Sequence, residues 1–440
     1  MAFIKKIYVN YKDIESNQEY HLPALYTEKG IILSHLRYLA WFSNKSESWR
    51  ERSVFSLKLL TEYINTVPEI STATNVLKTF TIALVTGTID FKLLNDESGL
   101  FWKPRKIRDA NNILFHITHY TDYLAMQDGY SASRVNPFRK ATGYEERLNW
   151  CAYYHKQANV FLNHLSSHRS AQEYSQQVRL IGAMPDNKVD IEKVVRFPVD
   201  KIDKLFNIGF LKKNGHCDYK LQAMTMLMHY GGLRKSELFH IYVSDITQNP
   251  NHPEEALVRV YDPVFGTSPN PKYKIRSEYL LGETNFKPRN KYRFSERLYS
   301  GWKSPLLTSK KRYFEVVFSP PQKAKDFLNT WVNYLKYQRV DPAAKNTHPF
   351  AFTNNQGLPE SIKNFQRYHK NAVEKIGLLC KKENGTTEHG HRHAYGYRVR
   401  QLGLDRIEIQ KAMHHKSPLS SLIYTEPTIE DIRNKMRETE

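Results

Sequence analysis

Residues 389–393, His-Gly-His-Arg-His, set three histidines at alternate positions around one arginine. On a β-strand the three imidazoles would point to one side and could bind a zinc ion. On an α-helix, His389, Arg392 and His393 would share one face and His391 would point away, because residues three and four apart are neighbours there. A helix would therefore present a cationic surface, which suits an anion better than a metal.

The flanking residues favour the helix over the strand. Thr387 can cap a helix, and Gly403 is a typical helix stop. Between them an apolar stripe recurs at helical spacing: Tyr395, Val399 and Leu402. In a helix only two of the three histidines face the same way, so a metal site becomes the minor alternative.

A second helix is indicated after Gly403, with Ile409, Ala412 and Met413 on one face, and His414 and His415 follow at its end. Ser417 and Pro418 then form a helix start, an N-cap followed by proline at the first helical position. The buried stripe predicted for this short helix consists of Leu419, Leu422 and Ile423. At 100° per residue Tyr424 falls well off that stripe, so we expect its hydroxyl to be free. The alternative is that Tyr424 only packs in the core or at the surface, like most of the 28 tyrosines.

Together these residues resemble the C-terminal signature of the tyrosine recombinases, the phage-integrase family. The family pattern is H-x-x-R-H, a glycine, an I-Q pair, L-G-H-x-S, and a tyrosine nine residues after the last histidine. Upstream, GGLRKSEL is similar to the family's G-x-R-x-x-E. The matching residues, in chain order, are Arg234, Glu237, His389, Arg392, His393, Gly403, Ile409, Gln410, His415, Ser417 and Tyr424.

The chain departs from the pattern in two places. MHH replaces L-G-H, so His414 stands where the family has glycine, and the spacing assigns the family histidine to His415. A long segment also separates Arg234 from Arg392, and it must contain the family's lysine, which lies on a β-hairpin before a terminal strand. YFEVVF resembles that strand. Lys303 is the preferred lysine, and Lys310 and Lys311 fit a shorter hairpin.

The residue types suit attack on a phosphodiester. Charge that builds up on its non-bridging oxygens requires preorganised cations, and an arginine offers a planar fork of donors. The resemblance implies one role for each residue. Arg234, Arg392 and His415 would bind the phosphate, Tyr424 would be the nucleophile, His389 the base and Lys303 the acid, with Glu237 and His393 in support. The resemblance also implies a 3′-phosphotyrosyl intermediate without a metal or nucleotide cofactor.

The composition agrees with a polyanionic partner. Lys and Arg outnumber Asp and Glu by 65 to 45, which gives a net charge of +20 in 440 residues, although a basic soluble enzyme without such a partner is the alternative. Aromatic residues make up 13% of the chain, too many for a disordered protein. Cys151, Cys217 and Cys380 are widely spaced and indicate neither a disulfide framework nor a cysteine zinc site. We find no signal-peptide or membrane-spanning pattern and expect a cytoplasmic protein associated with the nucleoid of a bacterium or phage host.

These residues must be positioned by a fold that is mainly α with a small β-sheet. Five segments between about residues 28 and 170 have apolar residues at helical spacing, and the later half mixes helices with short β-type segments. The predicted organisation is an N-terminal extension over 1–27, with a β-hairpin as one interpretation, an all-helical domain over 28–171, a linker over 172–198 and an α+β domain over 199–440. The resemblance implies that the helical domain is a DNA core-binding domain and that the α+β domain is catalytic. A long insertion lies around 262–300.

The resemblance implies a site-specific recombinase that integrates or excises a mobile element. Its partners would be double-stranded DNA, three further copies of the chain in a homotetramer on paired sites, and accessory recombination proteins. Three alternatives remain open at this stage. They are a topoisomerase IB-like enzyme that nicks and reseals DNA, a metal-dependent nuclease using the histidines, and a non-catalytic DNA-binding relative.

Overall fold

The computed structural model describes residues 4–14, 16–66, 72–127, 134–157, 175–185, 195–212, 214–421, 424, 433 and 436–437. The chain divides into two compact units, Met1–Val189 and Asp190–Glu440. Within the described ranges no helix combines the length and the apolar character needed to cross a membrane.

The first unit begins with an antiparallel sheet of three strands in the order β1-β2-β3. These strands are β1 (Lys5–Lys12), β2 (Glu19–Thr27) and β3 (Gly30–Ile31). Leu22, Ala24 and Leu25 of β2 are buried. β1 and β2 form an antiparallel hairpin, and both faces of β2 are covered over 22–25, because successive side chains of a strand point to opposite faces.

Five helices follow among the residues that the structure describes in this unit, and they enclose two small cores. They are α1 (Leu33–Trp41), α2 (Glu47–Ile64), α3 (Ala73–Thr86), α4 (Ile107–Ala125) and α5 (Gly143–Gln157). The fully buried Tyr38 is at the centre of one core, and Phe80 is at the centre of the other. The side chains of Ser46 and Thr72 accept hydrogen bonds from the first turns of α2 and α3, which fixes where these helices begin.

The beginning of the predicted linker belongs to this first unit. Strand β4 (Phe138–Lys140) pairs antiparallel with β5 (Gln177–Arg179). The side chain of Asn136 then holds the chain beyond β5, because its Oδ1 accepts the backbone N–H of Ile181 at 3.0 Å. A linker prediction based on polar composition misses such pairing. Residues 172–174 and 186–194 of the predicted linker, and the end of the predicted helix around 150–168, lie outside the described residues.

The second unit is mainly helical with a small antiparallel sheet, which confirms the predicted fold class. After an irregular helical stretch over 199–209, its helices are α6 (Tyr219–His229), α7 (Arg276–Glu283), α8 (Gln322–Tyr337), α9 (Ile362–Lys375), α10 (Glu388–Gln401) and α11 (Arg406–Ala412). The sheet consists of β6 (Ile246–Gln248), β7 (Ala256–Tyr261) and β8 (Tyr313–Glu315), in that order.

Helix α6 is the central element of the second unit and packs against both α8 and α10. Met224, Leu227 and Met228 are completely buried. Alternate residues of β7 face the same core, including Val258 and Val260. Burying this many side chains stabilises the unit by about 1.5–3 kcal/mol for each large apolar residue.

The segment FHIYVSDI, which the sequence suggested as a strand, is mostly helical turn. Lys235–His240 and Val243–Asp245 are 3₁₀ turns, and only Ile246–Gln248 is a strand. The carboxylate of Asp245 accepts the backbone N–H of Tyr242 at 2.8 Å, which closes the second turn. The same carboxylate binds the buried Arg276 of the insertion, so a tertiary contact overrides the local β-propensity.

Candidate active site

The site is built around two consecutive glycines. Gly232 has a φ of +69°, and a Cβ there would lie 2.5 Å from the ring of Tyr395 on α10. A Cβ on Gly231 would lie 2.5 Å from a methyl group of Val316. Only glycine fits this approach, which brings the 3₁₀ turn that begins after Arg234 close to α10.

Arg234 is oriented by Glu237, one helical turn away. The carboxylate of Glu237 accepts the backbone N–H of Arg234 at 2.6 Å and its Nη1 at 2.8 Å. Glu237 is buried, and the side chain of Arg234 keeps 20% of its surface exposed. The carboxylate fixes one end of the guanidinium, and the rest is available to a ligand.

Arg392 projects from α10 into the same place and is almost fully buried. Its Nη1 donates to the carbonyl oxygen of Gly232, and its Nη2 donates to that of Met413 at 2.6 Å. The same Nη1 lies 4.0 Å from Glu237 Oε2. Arg392 thereby joins the glycine turn, α10 and the end of α11. Burial, together with the charge of Arg234, lowers the pKa of Arg392 to about 10, so it remains a cation at neutral pH.

Tyr424 lies across α10. Its hydroxyl is 2.8 Å from Nδ1 of His393, and only 5% of the residue is exposed. Its ring passes over Gly396, where a Cβ would lie 2.5 Å from it. The prediction of a free hydroxyl is therefore wrong, because the phenol is buried and bound to an imidazole.

Burial and the neighbouring charges shift the pKa of Tyr424 in opposite directions. Burial raises the pKa of Tyr424 to about 12, while the positive charges of Arg392 and Arg234 act to lower it. The phenol is consequently protonated at rest and lies within the field of two cations. Burial and the charge of Arg392 lower the pKa of His393 to about 4, so its ring is neutral at pH 7. A neutral imidazole can accept the phenolic proton at Nδ1.

His389 is the neighbour of His393 rather than of the tyrosine. The two rings are 4.4 Å apart between centroids. The side chain of His389 is exposed, and partial desolvation of its ring together with the nearby charges of Arg392 and Lys303 shifts its pKa below the ordinary value. The sequence resemblance gave the role of base to His389, but the structure places His393 in contact with the hydroxyl. Both face the site, as helical spacing predicts.

His415 lies on the other side of Tyr424. The two rings are nearly parallel, with 6.2 Å between centroids. Nδ1 of His415 is 2.9 Å from the hydroxyl oxygen of Ser421. Gln410, from the I-Q pair, fixes the backbone of His415: its Nε2 donates to the carbonyl oxygen of His415 at 3.0 Å. Burial and the two arginines lower the pKa of His415 to about 3, so it too is neutral.

His414 takes the place of the family glycine and faces away from the site. Its φ of +54° lies in the left-handed region, where glycine is normally favoured. Its ring is stacked on Phe314 at 3.7 Å between centroids, and both ring nitrogens are buried without a hydrogen-bond partner among the described residues. His415 is therefore the histidine beside Tyr424, which agrees with the motif spacing.

His391 lies on the opposite face of α10, inside the core. Its Nδ1 is 3.1 Å from Nδ1 of His229, and its Nε2 is 2.8 Å from Nε2 of His369. Arg398 donates to Nε2 of His229 at 2.9 Å. This buried chain of histidines explains why the three alternate histidines do not converge. No group of three or more His, Cys, Asp or Glu side chains suited to a metal ion occurs among the described residues.

The structure corrects three predictions, which concern the two ends of α10 and the short helix expected after Ser417. Thr387 occupies the N-cap of α10, but its side chain makes no capping hydrogen bond within the described part of the chain. Leu402 is exposed rather than buried, because α10 ends at Gln401. Pro418–Ser421 form a 3₁₀ turn. The buried stripe predicted for this segment consists of Leu419, Leu422 and Ile423. Their side chains lie outside the described residues.

The three lysines lie in two different places. Lys303 is in the arm that returns from the insertion, and its charge acts on His389. This arm is bound at both ends, since Ser300 Oγ donates to the carbonyl oxygen of Ser236 and Leu306 N–H donates to that of His414. Lys310 and Lys311 instead line an open cavity of about 920 Å³ on the other side of His414.

Sequence reasoning missed Ser421, His229 and His369. His229 and His369 contact His391 from 162 and 22 residues away, and no local pattern marks them. His393 was identified, but only in support of its neighbours. Its place against Tyr424 depends on the path of the chain after His415, which the sequence does not define.

No protein-family model matches the chain, and no curated protein sequence matches it. Solved structures similar to it include a Tn1549 transposon integrase in complex with circular intermediate DNA, at 13% identity and a TM-score of 0.48, covering 92% of this chain and 98% of that one. A lambda integrase dimer bound to a core site matches at 11% identity and a TM-score of 0.46, covering 90% and 95%. XerH site-specific recombinase bound to a palindromic difH substrate matches at 11% identity and a TM-score of 0.42, covering 88% and 78%.

Proposed function

We propose that this protein is a site-specific DNA recombinase of the tyrosine recombinase class, which cleaves and rejoins DNA through a 3′-phosphotyrosyl intermediate. One observation carries the proposal: the Tyr424 hydroxyl lies 2.8 Å from His393 Nδ1, within the field of Arg234 and Arg392. A buried phenol with an acceptor for its proton and two cations beside it is suited to attack an anion.

Charge balance supports a phosphate as the ligand. Within the described contacts of the site, two guanidinium groups share the single carboxylate of Glu237. His393 and His415 are neutral at pH 7, because burial lowers their pKa values to about 4 and about 3, and the pKa of the exposed His389 is shifted in the same direction. The excess positive charge would be compensated by a bound phosphodiester, whose non-bridging oxygens accept the free donors of Arg234.

The proposed reaction forms one bond and breaks one. Tyr424 attacks phosphorus and gives its proton to His393, while the P–O5′ bond breaks and the leaving oxygen takes a proton from Lys303. Arg234, Arg392 and His415 stabilise the charge on the transferring phosphoryl group. The 5′-hydroxyl of another strand can then attack the phosphotyrosine and reverse the step, which requires no metal or nucleotide.

The biological setting is part of the proposal. The enzyme would act as a homotetramer on paired double-stranded DNA sites, since exchange between two duplexes requires four tyrosines. It would integrate or excise a mobile element with accessory recombination proteins, in the cytoplasm on nucleoid DNA. The first unit would be the DNA core-binding domain and the second the catalytic domain.

Trapping on nicked DNA tests the proposal. A library of duplexes with randomised flanks, nicked near the centre so that a short leaving strand diffuses away, is incubated with the protein in EDTA. We expect DNA covalently linked to protein, which partitions with protein in a phenol extraction. Cleavage that EDTA abolishes, without covalent adducts, would support a metal-dependent nuclease instead. Relaxation of supercoiled plasmid without strand exchange between two duplexes would favour the topoisomerase-like alternative.

A further inference from the structure

The insertion between β7 and β8 is strongly basic. Residues 262–312 contain 12 Lys and Arg residues and 4 Asp and Glu residues, a net charge of +8 out of the +20 of the whole chain. Two of its arginines are structural. Arg276 binds Asp245, and Arg289 lies in the core against Phe239 and Phe350. Lys272 and Lys287 form surface ion pairs with Glu283 and Glu296, and the other described cations of the insertion include exposed side chains.

Arg289 closes a loop over residues 289–300, which we call the basic loop. Ser300 N–H donates to the carbonyl oxygen of Arg289 at 3.0 Å, and Arg289 Nε donates to that of Leu298 at 2.5 Å. Arg289 Nη2 also donates to the carbonyl oxygen of Glu360 at 2.9 Å, which attaches the base of the loop to the core. Burial lowers the pKa of Arg289 to about 10, so it keeps its charge and these bonds.

Local hydrogen bonds also give the rest of the basic loop a defined shape. The N–H of Lys291 donates to the carbonyl oxygen of Pro288 at 2.8 Å, and that of Glu296 donates to Arg293 at 2.9 Å. The rings of Phe294 and Tyr299 are in contact, with 5.3 Å between centroids. Groups held in this way lose little conformational entropy when they bind a ligand.

Three cations project from the basic loop: Lys291, Arg293 and Arg297. All three are exposed. Among the described ion pairs, the acidic residue of the loop, Glu296, is paired with Lys287 at 3.7 Å and with none of these three. They are therefore solvated positive charges on a preorganised support.

The loop is attached next to the proposed active site. Ser300 Oγ donates at 2.8 Å to the carbonyl oxygen of Ser236, which is two residues after Arg234. Lys303 follows three residues after the loop ends. A closed loop of this length extends at most about half its contour, roughly 20 Å, from its base. DNA carries one phosphate charge for about every 1.7 Å of duplex axis, so several phosphates beside the scissile one lie within that reach.

We propose that the basic loop binds backbone phosphates of the duplex within about half a helical turn of the cleaved phosphate, through Lys291, Arg293 and Arg297. This inference rests on the proposed function, and it assigns the insertion a DNA-binding role independent of base sequence. Its cations neutralise phosphates, so they contribute to affinity and to its salt dependence. The second unit would thereby bind both the phosphate at Arg234 and the adjoining phosphates, because the basic loop is bonded to the turn that follows Arg234.

A matched pair of triple variants tests the proposal. One carries Lys291→Ala, Arg293→Ala and Arg297→Ala. The control carries Lys325→Ala, Lys336→Ala and Lys363→Ala, which removes three other exposed cations of the same unit. The affinity of each for a 40-base-pair duplex is measured by fluorescence anisotropy from 50 to 300 mM NaCl.

We expect the loop variant to lose at least about tenfold in affinity at 100 mM salt, and the slope of log K against log salt to fall by about 2 to 3 for three lost phosphate contacts. The control should change the slope by less than about 1. Equal losses in both variants, or no loss in the loop variant, would overturn the proposal. The loop variant could instead bind one duplex normally and fail to pair two duplexes. That result would assign the loop to a contact between proteins and would also overturn the proposal.

Failure of this proposal can be distinguished from failure of the proposed function. At 20 mM salt with excess protein, the control variant should form the covalent adduct at the parent level, because its site residues and its basic loop are intact. If the parent forms no adduct, the recombinase proposal fails whatever the salt slopes are. Thermal unfolding of both triple variants serves as the folding control.

Discussion

The hydroxyl of Tyr424 lies 2.8 Å from Nδ1 of His393, a residue that the motif spacing had placed only in support of its neighbours. The contact distinguishes two neutral imidazoles on one face of α10. His393 touches the hydroxyl of Tyr424, while His389 touches His393 with 4.4 Å between ring centroids. The two histidines should therefore differ in their effect on catalysis.

We predict that His393→Gln slows formation of the covalent adduct by about 10²–10³-fold, since glutamine can keep a hydrogen bond to Tyr424 but cannot take its proton. His389→Gln should cost clearly less, because that ring does not contact the hydroxyl. Single-turnover cleavage of a nicked duplex measures both. A larger loss in His389→Gln would return the role of base to His389.

Gly396 is predicted to be indispensable for the position of Tyr424. The Cβ of Gly396→Ala would lie 2.5 Å from the Tyr424 ring, so the ring must move away from His393. We expect cleavage to fall at least about tenfold while DNA affinity stays within about twofold, since binding depends on phosphate contacts elsewhere. Gly143→Ala, where a Cβ meets open space, is the control. Parent-level cleavage by Gly396→Ala would show that the tyrosine does not use this position.

Arg392 should contribute both to the fold and to the reaction. Arg392→Lys keeps a charge but cannot bind the carbonyl oxygens of Gly232 and Met413 together with a phosphate. We expect a loss of about 3 kcal/mol or more of transition-state stabilisation, roughly 10²-fold or greater in cleavage rate. Arg406→Ala, an exposed arginine at the start of α11, should leave the rate unchanged. A cleavage rate for Arg392→Lys within threefold of the parent would contradict this assignment.

The sequence could predict those parts of the site that depend on residues within one helical turn of each other. Helical spacing placed His389, Arg392 and His393 correctly on one face, and Glu237 lies one turn from Arg234, where it orients the guanidinium. Those relationships depend only on the geometry of a helical turn. The fold class follows in the same way from the periodicity of apolar residues.

What the sequence could not provide depends on contacts between distant segments. The partners of His391 lie on α6 and α9, and the burial of Tyr424 against Gly396 requires the chain after His415 to return across α10. The FHIYVSDI segment has β-type residues, yet the bond between Asp245 and Arg276 holds it in a turn. None of these contacts leaves a periodic pattern.

The buried histidines predict how stability depends on pH. Burial lowers the pKa of His369 to about 4 and those of His229 and His391 well below 6.5, so all three are neutral in the folded protein. In the unfolded chain they take up protons below about pH 6.5. Stability should therefore be full above that pH and fall as the pH decreases from about 6.5 to 4, by about 1.4 kcal/mol per pH unit for each histidine that stays neutral.

Urea unfolding of the parent at pH 7.5, 6.0 and 5.0 measures this dependence. His391→Gln should reduce the slope, since glutamine does not titrate and can replace hydrogen bonds to both neighbours. Neighbouring charges also influence the pKa values of these histidines. Arg398 faces His229, and Glu388 and Lys235 act on His369. A free energy of unfolding that is constant from pH 7.5 to 5.0 would contradict the neutral state of the three histidines.

The identity of the residue that bonds to DNA tests the central claim most directly. The parent and Tyr424→Phe are incubated with the nicked duplex library, and any DNA-linked peptide is identified by mass spectrometry. We predict that the parent gives one linked peptide containing Tyr424, and that Tyr424→Phe binds DNA with parent affinity but forms no adduct, because phenylalanine has no nucleophile. A covalent adduct that persists in Tyr424→Phe, or that maps to another tyrosine, would contradict the nucleophile and the site built around it.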